Sequence, residues 1–462
     1  MANFWDFNVW GFMNLLAVIF LGLLAANALK RKIRILQASL IPTSVLAGLL
    51  LLAVSSVYRY ITGDVFFDTP FFGGNGMMTL EVLTYHTLAL GFIASTLKAG
   101  SGKLSKKRSI EIFNTGVTTV STYLLQAVVG MGITLIAAWI LKDFFSAAGV
   151  LLPFGFGQGT GQAMNYGTIY ETEHGFAGGK NFGLTIAALG FLSAAFGGVF
   201  YLNLLKRRGR IQVIGGEKSE GSLRFSEIQQ ENEIPMQGSM DKLTVQIALI
   251  AVAYFVSYLL MLALGMILPG MRSVIYGFNF LLGVLAATLV KVVLNLLKKS
   301  GLGTRVYTND FLMTRASNFF FDLMVVAGIA VIRLDILESY WGVILLLGVA
   351  GLLFTYLYNR FVAKKLFPDY QEEQFLMMYG MLTGTASTGV ILLRELDGDF
   401  KTPAADNLVY QNFPAIVFGF PMMLLATLAP VKPLLTYGIL VAFFIVMNVI
   451  LFRSYLFKKK NR

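Results

Sequence analysis

Leu151-Leu-Pro-Phe-Gly-Phe-Gly-Gln-Gly-Thr-Gly-Gln-Ala-Met-Asn-Tyr-Gly167 interrupts an otherwise apolar chain. Five glycines and a proline fall in this window, and long apolar runs flank it on both sides. An interior Gly costs a helix about 1 kcal/mol relative to Ala and Pro about 3 kcal/mol, so a continuous helix is disfavoured here. Non-helical backbone at membrane depth needs protein or a watery cavity to satisfy its N–H and C=O groups. The stretch therefore predicts a break between spans, and with it a ligand or ion site.

The 462-residue chain around it is 56% hydrophobic and only 13% charged, the balance of an all-α polytopic membrane protein. Its net charge of +12 comes from short Lys/Arg clusters between apolar runs. These form no basic face, so membrane topology accounts for the charge and nucleic acid does not. The absence of cysteine excludes disulfides, thiolate nucleophiles and Cys metal ligands. The first cations, Lys30, Arg31 and Lys32, follow the first apolar run, so that run is not expected to be a cleavable signal.

At about 20 apolar residues per span, the windows are 11–29, 40–57, 78–97, 113–141 and 182–205, then 243–268, 274–297, 315–332, 341–361, 408–428 and 434–457. Cation clusters follow alternate spans: Lys30-Arg31-Lys32 with Arg34, Lys103 with Lys106-Lys107-Arg108, and Lys206-Arg207-Arg208 with Arg210. The alternation continues with Lys298-Lys299 and Arg305, Arg360 with Lys364-Lys365, and Lys458-Lys459-Lys460 with Arg462. All six clusters fall on one face, while Asp64, Asp68, Asp143, Asp335 and Glu338 fall on the other. The positive-inside rule then puts the N-terminus outside and the C-terminus in the cytoplasm.

Residues 206–242 are polar and charge-mixed and read as a cytoplasmic linker. It divides a first repeat, 1–205, from a second repeat, 243–430, of opposite starting side, with an additional C-terminal helix and basic tail at 431–462. An inverted repeat of this kind requires a second broken segment after the fourth span of the second half. Residues 374–394 supply it, and their Gly384-Thr385-Ala386 matches Gly159-Thr160-Gly161 of the first segment, 147–167. Each repeat thus has about five spans and a re-entrant segment between its fourth and fifth. Two such tips would assemble N–H groups, carbonyls and hydroxyls without formal charge, a setting for an anion and a sodium ion together. The candidate solute-binding residues are Gln158, Gly159, Thr160, Gly161, Gln162 and Asn165 with Gly384, Thr385, Ser387 and Thr388. The sodium candidates are Asn318, Asp322 and Thr383. Helix capping is the alternative use of these hydroxyls, and a salt bridge to Arg315 is the alternative for Asp322. His86 is expected to be a buried packing residue, Lys291 and Arg272 to snorkel, and the small stripe Gly183, Ala187, Gly190, Ala194, Gly197 to serve static packing.

Ten spans in two inverted halves, a central linker and Gly157-Gln158-Gly159-Thr160-Gly161 together resemble the bacterial sodium/glutamate symporters, whose corresponding segment reads Gly-His-Gly-Thr-Gly. Gly157, Gly159, Thr160 and Gly161 match by position, and Gln158 stands where the family has His. The second segment matches more loosely over Gly384 to Gly389, with Thr385, Ala386, Ser387 and Thr388 where the family has more glycines. The resemblance implies a homodimeric carrier, without cofactor, that takes up glutamate or a related small anionic amino or dicarboxylic acid with sodium by alternating access. The rival within transport is a proton-coupled carrier or cation/proton exchanger using Asp322. A remote rival is an intramembrane transferase. Against enzyme function, the chain has only His86 and His174 and lacks both His-Glu-x-x-His and Gly-x-Ser-x-Gly.

Overall fold

The computed structural model describes residues 3–98, 105–209, 233–235, 240–300, 305–337, 340–397 and 401–456. The fold is all-α, with no β-strand among the described residues. The first half runs through α1 (Phe7–Lys32), α2 (Thr43–Thr62), α3 (Gly76–Leu97), α4 (Lys106–Ile140), α5 (Leu151–Gln158), α6 (Thr160–His174) and α7 (Gly179–Arg207). The second runs through α8 (Lys242–Ile267), α9 (Asn279–Lys299), α10 (Asp310–Ala330), α11 (Trp341–Leu366), α12 (Gln371–Thr383), α13 (Ala386–Arg394), α14 (Ala404–Tyr410), α15 (Asn412–Leu428) and α16 (Pro433–Leu451). Ten helices among the described residues are long and apolar enough to cross a membrane, which makes this a multi-pass membrane protein.

Two sequence windows take a different form from the one expected. The span at 408–428 is interrupted at Gln411, and its longer piece α15 carries Pro421 in its interior, where the missing N–H leaves a carbonyl unanswered. The window 151–167 is helical except at one residue. Gly159 alone separates α5 from α6, with φ 81° and ψ −171°, and Gly155, Gly157 and Gly167 serve close packing instead.

The pieces on either side of each break fold back on one another. Across the first, the rings of Phe154 and Tyr166 stack with centroids 3.9 Å apart. Across the second, a Cβ added to Gly380 of α12 would lie 2.9 Å from the Cα of Gly389 of α13. Both pairs are centred on their break, which is the geometry of a helical hairpin.

The described chain divides into two compact units, the first made of 1–80, 104–213 and 326–462 and the second of 81–103 and 214–325. In the second, Ile93, Ala94 and Leu97 pack with Ile250, Ala253, Ala287 and Met313. Most of the linker, 210–232 and 236–239, and the tail from residue 457 lie outside the described residues. Glu233 is buried, however, and accepts from Lys242 Nζ at 2.6 Å and from Asn309 Nδ2 at 2.7 Å. Asn309 in turn caps α10 by accepting from the Leu312 amide at 2.8 Å.

In the first unit, the chain leaving α13 is closed by Asp397, whose carboxylate accepts from the Lys401 and Thr402 amides at 2.8 and 2.7 Å and from Thr402 Oγ1 at 2.6 Å. Burial pushes this carboxyl up, but the three donors outweigh it and hold it below the usual carboxylate range. A depressed acid contributes stability that is complete above its unfolded pKa, about 3.9, and is lost as pH falls through the folded value. The protection factors of the Lys401 and Thr402 amides, taken relative to intrinsic exchange at each pH, are therefore expected to hold from neutral pH down to about pH 4 and to fall only below it. Asp397→Asn should loosen the same amides at pH 7 by about 1 kcal/mol. Equal protection in the variant and the parent would refute the clasp.

Candidate functional site

The small-residue stripe of α7 is where both hairpins are seated. A Cβ on Gly183 would lie 2.4 Å from the Ala163 carbonyl oxygen in α6, and one on Gly155 of α5 would lie 2.8 Å from the Ala187 amide nitrogen. At Gly190 a Cβ would meet the Thr383 carbonyl at 2.5 Å and Phe156 Cα at 3.2 Å. Gly197 receives the ring of Tyr379, whose hydroxyl donates to the Ser193 carbonyl at 2.8 Å. Backbone thus approaches backbone at Gly183 and Gly190, and a buried ring fills the space at Gly197, as small residues permit. The ends of α5 and α12 meet at Gly190.

Helix α4 ties these two ends from another side. Tyr123 OH donates to the Gly157 carbonyl at 3.1 Å, in the last turn of α5. Gln126 Nε2 donates to the Leu382 carbonyl of α12 at 2.8 Å and to Thr355 Oγ1 of α11 at 2.9 Å. The last carbonyls of a helix have no intrahelical donor, so two side chains of one helix satisfy ends that would otherwise be orphaned. On the far limb of the first hairpin, Tyr166 and Tyr170 donate to the carbonyls of Met423 and Ala426 at 2.9 and 2.7 Å. Ala426 needs this donor, because the residue four positions on is Pro430, which has no N–H.

Among these satisfied groups several amide atoms are left without partners. Both side-chain polar atoms of Gln162, Nε2 of Gln158 and Oε1 of Gln126 are buried with no hydrogen-bond partner among the described residues. Gln162 is only 1% exposed. An unmet buried polar group costs about 1–3 kcal/mol, so a cluster of them beside a helix break calls for a binding role. Gln162 lies in the first turn of α6, where the free N–H groups and partial positive charge favour an anion. The arrangement can therefore hold a small polar solute through amides and backbone groups, with no formal charge contributed by these amides.

The remaining candidates divide by location. Thr160 is fully buried, with Gly328 packed against its side chain so closely that a Cβ there would lie 2.6 Å from Thr160 Cβ. Gly161 and Asn165 are buried in α6. Gly384 links α12 to α13, and Thr385 caps α13 by accepting from the Thr388 amide at 3.4 Å. Thr388 is buried, with its hydroxyl 3.3 Å from that of Thr385. Ser387 lies in the first turn of α13, and its side chain falls outside the described residues. Thr383 donates its hydroxyl to the Tyr379 carbonyl at 2.6 Å, leaving only its lone pairs for a cation. Asn318 and Asp322 are both exposed, one turn apart on α10, in the second compact unit, whereas Thr383 belongs to the first. The three sodium candidates therefore do not fall within one unit.

Lys291 ends on the carbonyls of Thr96 and Lys98, at 3.2 and 2.6 Å, and Arg272 Nε on that of Gly265 at 3.2 Å. Arg315 sits over the Phe311 ring at 5.1 Å. His86 differs from expectation: it is exposed, and its Nδ1 lies 2.5 Å from Tyr254 OH.

Sequence reasoning missed Gln126 and a buried ladder of amides and hydroxyls beneath the second hairpin. In that ladder Gln374 donates to Thr115 Oγ1 at 3.1 Å, Asn407 donates to Gln374 Oε1 at 3.1 Å, and Thr119 donates to Gln411 Oε1 at 2.9 Å. The available signal was a lone amide inside an apolar span, which costs free energy unless hydrogen-bonded. Comparison of the chain with family models and with curated proteins finds no match.

Proposed function

We propose that the protein is a sodium-coupled carrier of a small anionic solute, glutamate or a related amino or dicarboxylic acid, working by alternating access. The observation that carries this reading is the meeting of two broken-helix hairpins at Gly190, with Gln158 Nε2 and both side-chain polar atoms of Gln162 buried and unpaired beside the first break. In this reading the hairpins are re-entrant segments of two inverted repeats, the first entering from outside and the second from the cytoplasm. The cation clusters on alternate loops support that orientation. Solute carboxylate would bind the start of α6 and the Gln158 and Gln162 amides. Sodium would take carbonyl and hydroxyl oxygens at the ends of α5 and α12, Thr383 Oγ1 among them.

The test is uptake of labelled amino and dicarboxylic acids into liposomes holding the purified protein. An inward sodium gradient should drive accumulation of at least one anionic solute. Failure across a panel that includes glutamate would sink the proposal. Uptake that follows a proton gradient alone, and loses its pH dependence in Asp322→Asn, would assign the chain to the proton-coupled class instead.

Gln162→Leu separates a binding role from a packing role. Removing an unmet amide should leave stability unchanged or raise it by about 1 kcal/mol, while uptake falls by about tenfold or more. Unaltered uptake in a stable variant would place Gln162 outside the site.

A further inference from the structure

The face that lacks the cation clusters nevertheless brings two arginines together, Arg59 near the end of α2 and Arg333 just after α10. They line one cavity of about 340 Å³ with Ser55, Ser56 and Asp335, large enough for a small solute or a lipid headgroup. All of these residues belong to the first compact unit. Arg59 Nη2 and Arg333 Nη2 both reach the same oxygen, Asp335 Oδ2, at 3.0 and 3.1 Å. One carboxylate therefore answers two guanidinium groups, which leaves a net positive charge. Arg59 Nη1 and Arg333 Nε are in addition buried with no partner among the described residues. The arginine side chains are 33% and 35% exposed, so the cavity is open to an incoming group. Arg333 is also held from behind, since its amide donates to Asn181 Oδ1 at 2.8 Å.

A second charged cavity, of about 380 Å³ and lined by Ser105, Lys107, Arg108, Glu111 and Asp369 among others, shows what a self-satisfied cluster looks like. There Lys107 meets Asp369 at 3.0 Å, and Arg108 meets Glu111 at 2.5 Å and Asp406 at 3.6 Å. With Lys401, which also lines this cavity and whose charge acts on Asp397, four carboxylates answer three cations. Around Arg59 and Arg333 the balance is reversed.

We propose that Arg59 and Arg333 form a binding site for a single oxyanion, a carboxylate or phosphate group, with Asp335 holding the two guanidiniums in place and competing with the ligand for them. Arg suits this role because its planar fork of donors can serve an internal carboxylate and an external oxyanion at once. The hydroxyls of Ser55 and Ser56 supply further donors. The ligand is either a free anion or the phosphate of a lipid headgroup, and the site does not depend on the transport reading.

The test uses the full chain in phosphatidylcholine nanodiscs, with inorganic phosphate and acetate as probes at ionic strength fixed by sodium chloride. Phosphate should raise the melting temperature of the parent protein by about 2 °C or more at saturating concentration. Asp335→Asn should strengthen the apparent affinity about tenfold by releasing both arginines, and Arg59→Gln and Arg333→Gln should each weaken it about tenfold. Adding phosphatidylglycerol distinguishes the sources: stabilisation by the lipid together with loss of the phosphate response identifies a headgroup, and an unchanged phosphate response identifies a free anion. The proposal is overturned if neither probe nor the anionic lipid stabilises the parent protein. It is equally overturned if Asp335→Asn binds no more tightly, which would make the cluster a structural salt bridge. That variant remains decisive if the arginine variants fail to fold.

Discussion

Gly159→Ala is expected to lower the melting temperature by several degrees and to remove most of the uptake activity proposed for the protein. With φ 81° and ψ −171°, Gly159 occupies backbone space that is open almost only to glycine. A Cβ there costs about 1–3 kcal/mol. The chain can relieve that strain only by changing the angle between α5 and α6, which moves the Gln158 and Gln162 amides relative to each other. Gly438→Ala is the internal control. It lies inside a helix, α16, where a Cβ meets nothing within 4 Å, so alanine should be neutral or stabilise by up to about 1 kcal/mol. If the two variants melt and transport alike, the break at Gly159 is not a strained hinge.

Gly190→Ala is expected to be nearly as damaging, through sterics instead of torsional strain. The added methyl would sit 2.5 Å from the Thr383 carbonyl oxygen and 3.2 Å from Phe156 Cα. Both are backbone atoms, so no rotamer change can make room, and overpacking of this kind costs about 1–3 kcal/mol. Displacement would fall on the ends of α5 and α12 together. Uptake should therefore drop further than the loss of folded protein explains, by about tenfold or more for an ångström-scale shift at a binding site. Parental uptake and an unchanged melting temperature in purified Gly190→Ala would refute the shared seat.

The breaks at Gly159 and at Gly384-Thr385 were legible because Gly and Pro act on the backbone locally, and their equivalent placement in the two halves favoured a break over a hinge in a spanning helix or a surface loop. The stripe on α7 was legible too, since its period of three and four residues places five small side chains in one line. What it packs against was not, because close approach of α5, α6 and α12 is long-range information. The interruption at Gln411 was hidden by the apolar residues around it. An average over 20 positions does not register one amide that finds a partner in Thr119. Gln126 escaped for the same reason. His86 has a hydrogen-bond partner, Tyr254, but is exposed instead of buried, because a depth along the helix axis does not specify which side of the helix a residue faces.

The seat on α7 also bears on how this protein can diversify. Substitutions at Gly183, Gly190 or Gly197 collide with backbone or with a buried ring, so variation there is closed to both natural drift and directed evolution. Gln158, Gln162 and Thr385 flank the breaks without being part of that seat. A library confined to those three positions would explore new solute preferences on an unchanged scaffold, and an otherwise equal library on the stripe would return mostly unfolded chains.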